Sequence, residues 1–252
     1  MMSQGRRAWL IAAAVLTASV AAAEPAPTPN ANISRWASGV IAYRVASTGA
    51  INGYESWRLT VHPSGERTMS ARVEYAPRSI QRHVIHRTSR DWRPLETYAV
   101  TWVEGVFRGS ASVVADDPVL RITGLAPGGA VSHDLDLRGP VAIVPHVISV
   151  DSWRATQYDK TKGGEQPIYS YNMNATGDGD QGILGRLMDY RLTWIGNERV
   201  TVPAGTFETD HFRIEDAVDI YLNGPDAMAV KFVYRAIDRE HLLIEHSHGS
   251  GP

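Results

Sequence analysis

Apolar and polar side chains alternate in short runs from residue 39 to residue 248, and the runs are broken by Gly, Pro, Asn and Asp. That period predicts the strands of an antiparallel sheet. Residues 55–61 put Glu55, Trp57, Leu59 and Val61 on one face, and residues 68–75 do the same with Met69, Ala71, Val73 and Tyr75. The turn His62-Pro63-Ser64-Gly65-Glu66 joins them as a hairpin. Ile41, Tyr43 and Val45 share a face, as do Tyr98, Val100 and Trp102, then Met188, Tyr190, Leu192 and Trp194, then Met228, Val230, Phe232 and Tyr234. Strands at this spacing point to a sandwich or a barrel rather than a parallel sheet.

The stretch 198–215 contains its own turn, Val202-Pro203-Ala204-Gly205-Thr206. Proline suits the second position of a type I turn and Gly205 is free to take φ > 0, which predicts a hairpin closed by a glycine bulge. Phe207 and Phe212 fall on opposite faces of a regular strand, so the pattern calls for a further bulge. Between residues 139 and 164 the alternation fails. Val141, Val144, Val147 and Ile148 follow a helical stripe, and a short helix is expected over 145–156, followed by a loop over 159–167.

Composition adds the compartment. Arg6 and Arg7, the apolar run 9–20 and Ala21-Ala22-Ala23 form an export signal with cleavage after Ala23, too short in its apolar part to span a bilayer. Sec export is favoured, with Tat the alternative offered by the arginine pair. Residues 24–38 read as a flexible leader with three prolines, and 39–248 as a single β-barrel-like domain. Cleavage would remove two arginines and take the formal charge from −2 to −4, which argues against nucleic acid as a partner. There is no cysteine, hence no disulfide, thiol nucleophile or cysteine metal site. The expected product is periplasmic in a Gram-negative cell and not an integral membrane protein after cleavage. Nothing in the sequence defines its oligomeric state.

Trp194-Ile195-Gly196 followed by Val200-x-Val202-Pro203-Ala204-Gly205-Thr206-Phe207, with the glycine turn after Trp57, resembles a family of uncharacterised proteobacterial envelope proteins. The resemblance implies a mainly β fold, a single antiparallel meander curved into a half-open barrel, similar in shape to the lipoprotein carriers of the periplasm, which hold acyl chains in an apolar hollow. It carries no catalytic residues, and the insertion at 139–164 departs from a simple meander.

Candidate chemistry is sparse. Trp57, Trp102, Trp153 and Trp194, with Tyr171, are candidates to line an apolar ligand site, although aromatic residues also simply fill cores. His146 and Asp151, near Trp153, are candidates for a His base with an orienting carboxylate, but five helical positions separate them by about 140°. His133 shares a face with Val131, Leu135 and Leu137, as a core or pocket-lining imidazole. His83 and His86 point to opposite faces of a strand, and His246 and His248 lie in a C-terminal tail expected to fray. Asp178-Gly179-Asp180 lacks the ligand spacing and closing glutamate of a calcium loop, and no cofactor motif occurs. The leading expectation is a carrier of a hydrophobic or aromatic small molecule or lipid, without metal or cofactor. The alternatives are a cofactor-independent lyase, isomerase or hydrolase with His146 or His133 as base, and an envelope scaffold protein.

Overall fold

A computed structural model describes residues 32–251 of the chain. The export signal expected over 1–23 and most of the leader lie outside the described residues. Within them, one arm of sheet is a plain meander: β1 (Arg35–Val45), β2 (Ile51–Val61), β3 (Arg67–Tyr75), β4 (Ile80–Thr88), β5 (Pro94–Val103), β6 (Val106–Asp116), β7 (Val119–Ala126) and β8 (Gly129–Asp136). The second arm is β9 (Ala142–Val144), β10 (Glu165–Asn172), β11 (Arg186–Val202), β12 (Gly205–Ile214), β13 (Val218–Asn223), β14 (Met228–Tyr234) and β15 (Arg239–Ser250). The arms join where β1 pairs with β15, giving one 15-stranded sheet with β8 and β9 at its edges. Every pairing is antiparallel except β9 with β10, and the sheet does not close into a barrel.

Several boundaries differ from the sequence reading: Val144, read as part of a helical stripe, lies in β9, and β10 begins at Glu165, inside the loop expected over 159–167. Residues 35–38, assigned above to the leader, are strand. The tail that carries His246 and His248 is a full strand, with His246 opposite Gly39 and His248 opposite Ala37. Backbone pairing to β1 along its whole length is what prevents fraying there.

The 198–215 hairpin forms as its residues require. Val202 faces Gly205 across the Pro203-Ala204 turn, and Gly205 takes φ +138°, a region closed to residues with a Cβ. β12 itself runs without a bulge from Phe207 to Phe212, so these two rings sit on opposite faces; the irregularity is on the partner strand, where Ile195 is skipped between Trp194, paired with Phe212, and Gly196, paired with His211.

The inserted segment fills the hollow of the sheet. Ile143, Val147, Ile148, Val150, Trp153 and Tyr158 are all buried in the central cluster. The helix is shorter and later than expected, with α1 at Ile148–Asp151 continuing as a 3-10 turn over Ser152–Gln157. His146 has φ +59° and Val147 is extended, so the chain turns sharply before the helix starts. The filling also explains a face inversion on β5. There the buried positions are Thr97, Ala99, Thr101 and Val103, while Tyr98 is exposed and Val100 and Trp102 are half-buried on the convex side. With Ala111 buried on β6, these small inward residues leave room for the insertion, whose bulk replaces theirs.

Arg82 ties the arms together across the filled hollow. From β4 its Nε donates to Thr101 Oγ1 (2.9 Å), Nη1 to the Pro145 carbonyl (2.7 Å) and Nη2 to the carbonyls of Asn174 (2.7 Å) and Ala175 (3.1 Å). The loop between β10 and β11 makes backbone bonds to the first arm as well, from Ile183 N–H to Arg108 and from Gly128 N–H to Asp180.

Candidate functional sites

Two clefts flank α1, toward opposite ends of β1 and β15. The first, about 350 Å³, is apolar. Its walls include Trp57 and Leu59 from β2, Met69 from β3, and Met228 and Ala229 from β14, with Trp36, His246 and His248 at the β1–β15 seam. The Trp57 indole lies on Gly39, where a Cβ would come within 2.8 Å of the ring, and packs against the His246 ring at 6.3 Å. Its buried N–H has no hydrogen-bond partner among the described residues. His246 and His248 stack at 5.1 Å, and burial, with the His248 charge second, lowers the pKa of His246. The rim carries Asp226, whose carboxylate accepts from Arg35 (2.6 and 2.8 Å) and Arg67 (3.0 Å).

The second cleft, about 380 Å³, is polar at its floor. Glu55 lies fully buried beneath it, and its carboxylate accepts from Tyr43 Oη (2.5 Å) and from the first amides of α1, Ile148 N–H (2.6 Å) and Ser149 N–H (2.8 Å). A remote carboxylate thus satisfies donors that the short helix cannot pair itself. Burial raises the Glu55 pKa, with these hydrogen bonds opposing. Asp151 accepts the His146 N–H (3.1 Å) and lies 3.5 Å from Arg154. Burial pushes its carboxyl up to about 7. Desolvation lowers Arg82 to about 10, and lowers His146 and His241 to about 3 each. Both imidazoles are therefore neutral at physiological pH.

The structure brings His146 and Asp151 to the same cleft, joined through the His146 backbone rather than its ring. Trp57 lines the apolar cleft. The other candidates lie elsewhere. Trp102 is on the convex face beside Phe107 and His83 rather than in the hollow. Trp153 is core, donating to the Asp226 carbonyl (3.1 Å) and packed on Trp92 and His86. Tyr171 is fully buried, its hydroxyl accepting the Gly185 N–H (2.9 Å). Trp194 donates to Asp210 (3.2 Å) under Lys160. His133 sits half-buried on edge strand β8 and lines neither cleft.

Sequence reasoning passed over Glu55, Arg82, Tyr43, Tyr234, Arg239 and His241. Glu55 carried a legible signal, since a carboxylate on the inward parity of a cleanly alternating strand needs partners. Asp178 of the glycine-rich loop is held by both Nη groups of Arg78 (2.6 and 2.7 Å).

A curved antiparallel sheet wrapped on its own insertion, open at both sides of a short helix, defines a β-barrel-like domain. Among solved structures the chain is similar to a β-barrel-like protein of the domain of unknown function DUF1849 from Brucella abortus, with TM-score 0.55 and 9% identity over 86% of this chain and 98% of that one. It is also matched by a DUF1089 family protein from Pseudomonas aeruginosa, with TM-score 0.42 and 14% identity over 74% and 90%. A third match is a Bacteroides fragilis protein with a YmcC-like fold, described as exported, with TM-score 0.29 and 9% identity over 87% and 97%. At these identities the first likeness shows the fold alone. No family model and no curated protein matches the chain. Among the described residues no helix is long and apolar enough to cross a membrane.

Proposed function

We propose that the protein is a non-catalytic periplasmic module that binds an apolar or aromatic small molecule, or a lipid acyl chain, in the cleft beside Trp57. The observation that carries this reading is the cleft itself, about 350 Å³ with walls of Trp57, Leu59, Met69, Met228 and Ala229. That volume lies at the small end of the range for ligand pockets, and an apolar wall with few polar groups at its rim is their usual chemistry. The hollow expected of a carrier is occupied by the chain's own insertion, so the binding surface is the part of the trough the insertion leaves uncovered.

The test combines two measurements on the purified protein. Organic extracts are searched for small molecules by mass spectrometry, and a fluorescent fatty acid is titrated into the protein and into Ala37→Trp, which fills the cleft from β1. Saturable binding lost in Ala37→Trp, with an unchanged melting temperature, supports the reading. Empty extracts together with no saturable binding sink it.

A further inference from the structure

We propose that the second cleft is a separate binding site for a small organic carboxylate with an apolar or aromatic body, held by Arg239 together with Tyr234 and His241. The sheet register places these groups. Arg239 and His241 are two apart on β15 and so share a face; Tyr234 of β14 is opposite Arg239, and Tyr43 of β1 is opposite His241. The His241 ring packs edge-on against Tyr43 at 3.9 Å and Tyr234 at 5.2 Å.

Charge favours an anion there. Arg239 donates to Tyr75 Oη (2.6 Å) and has no carboxylate partner among the described residues. Arg82 is 1% exposed, and every hydrogen bond of its guanidinium goes to a neutral oxygen. Arg82 and Arg239 thus set two guanidinium charges against the carboxylates of Glu55 beneath the cavity and Asp151 on its wall; both carboxylates are hydrogen-bonded within the fold, which leaves Arg239 as the charged group open to a ligand. Arg78, at the mouth, is consumed by Asp178. The one carboxylate on the wall, Asp151, is shared with the His146 N–H and Arg154. A separate observation points the same way: His241 is 3% exposed, and its Nδ1 has no hydrogen-bond partner among the described residues. Buried polar atoms of this kind ordinarily have a partner; with none at Nδ1, no protein contact there fixes the tautomer of this neutral cleft-lining ring, which leaves a ligand free to select it.

The remaining wall sets the body of the ligand. Val73, Ile80, Ile148 and the rings of Tyr43 and Tyr75 are apolar surface, while exposed Pro77, Arg78, Ala175 and Thr176 form the way in. One guanidinium that has no carboxylate partner among the described residues, at the edge of an apolar wall, suits a monocarboxylate better than a phosphate, which carries more charge and asks for more donors.

Benzoate, phenylacetate and hexanoate are titrated calorimetrically into the purified protein, with benzyl alcohol and inorganic phosphate in parallel. At least one carboxylate is expected to bind and to raise the melting temperature. Arg239→Gln should weaken that binding about tenfold or more and Tyr234→Phe severalfold, whereas Arg199→Gln, the same charge change on the outer surface, leaves it unchanged. Tyr234→Phe removes only a hydroxyl, so it keeps the test decisive if Arg239→Gln does not fold. The proposal is overturned if none of the three acids binds. It is equally overturned if benzyl alcohol or phosphate binds as tightly as the best acid, or if neither cleft variant weakens binding.

Discussion

Asp151 is where charge burial acts most directly, and its replacement by asparagine gives a signed, measurable consequence. The residue is 2% exposed, and burial raises its carboxyl from 3.8 to about 7, with Arg154, Arg82 and the His146 N–H opposing and the Glu55 charge adding to the rise. The unfolded chain releases this proton near the ordinary value, while the folded protein keeps it to about pH 7. The stability contributed by the group is therefore full below about pH 4 and is lost as pH rises through about 7. The whole effect is on the order of 4 kcal/mol, of which about 2–3 kcal/mol falls between about pH 5 and about pH 8. Asp151→Asn keeps an oxygen for the His146 N–H and never ionises. Its stability relative to the parent should rise by about 2–3 kcal/mol across that range, read from urea midpoints at several pH values. His86, His146 and His241, each held neutral with a pKa near 3 by burial, lose stability in acid in both proteins and cancel in the difference. A difference that is flat with pH, or that falls as pH rises, refutes the assignment of Asp151 as a carboxyl whose charge the fold opposes.

Further expectations follow from single contacts. Glu55→Ala should lower stability by about 3–5 kcal/mol, because it leaves Tyr43 Oη and the amides of Ile148 and Ser149 without their shared acceptor; Glu55→Gln, which keeps one oxygen, should cost less, and equal urea midpoints for the two variants would count against the carboxylate as the helix's anchor. Arg82→Met should expose the loop around Asn174 and Ala175 to protease, with first cleavage there; a digestion pattern like the parent's would mean Arg82 does not hold the arms. Gly205→Ala should destabilise by about 1–3 kcal/mol through φ +138° alone, whereas no loss in thermal unfolding would show that the turn can rearrange.

Much of the fold was legible along the chain because strand parity and turn chemistry are local. The hairpin at 198–215, the β2–β3 pair with its inward Trp57 and the breakdown of alternation after residue 139 all follow from side chains within a few residues of one another. His146 and Asp151 stand close in the sequence, but helical spacing set their side chains about 140° apart, and the contact between them runs through the His146 backbone, which the turn before the helix supplies. What local pattern leaves open is which face of a strand becomes the inside. Tyr98, Val100 and Trp102 make the more apolar face of β5, yet Thr97, Ala99 and Thr101 are buried, because the insertion supplies the bulk and needs small neighbours. The second cleft depends on the same long-range fact. Glu55, Arg82, Asp151 and His241 are far apart in sequence, and only the wrapping of two arms around residues 141–158 buries them together and shifts their proton affinities. Most strands and turns and the apolar alternation arise from residues close together in the chain. What fills the hollow, and so which surfaces remain to bind, arises from contacts between residues far apart in it.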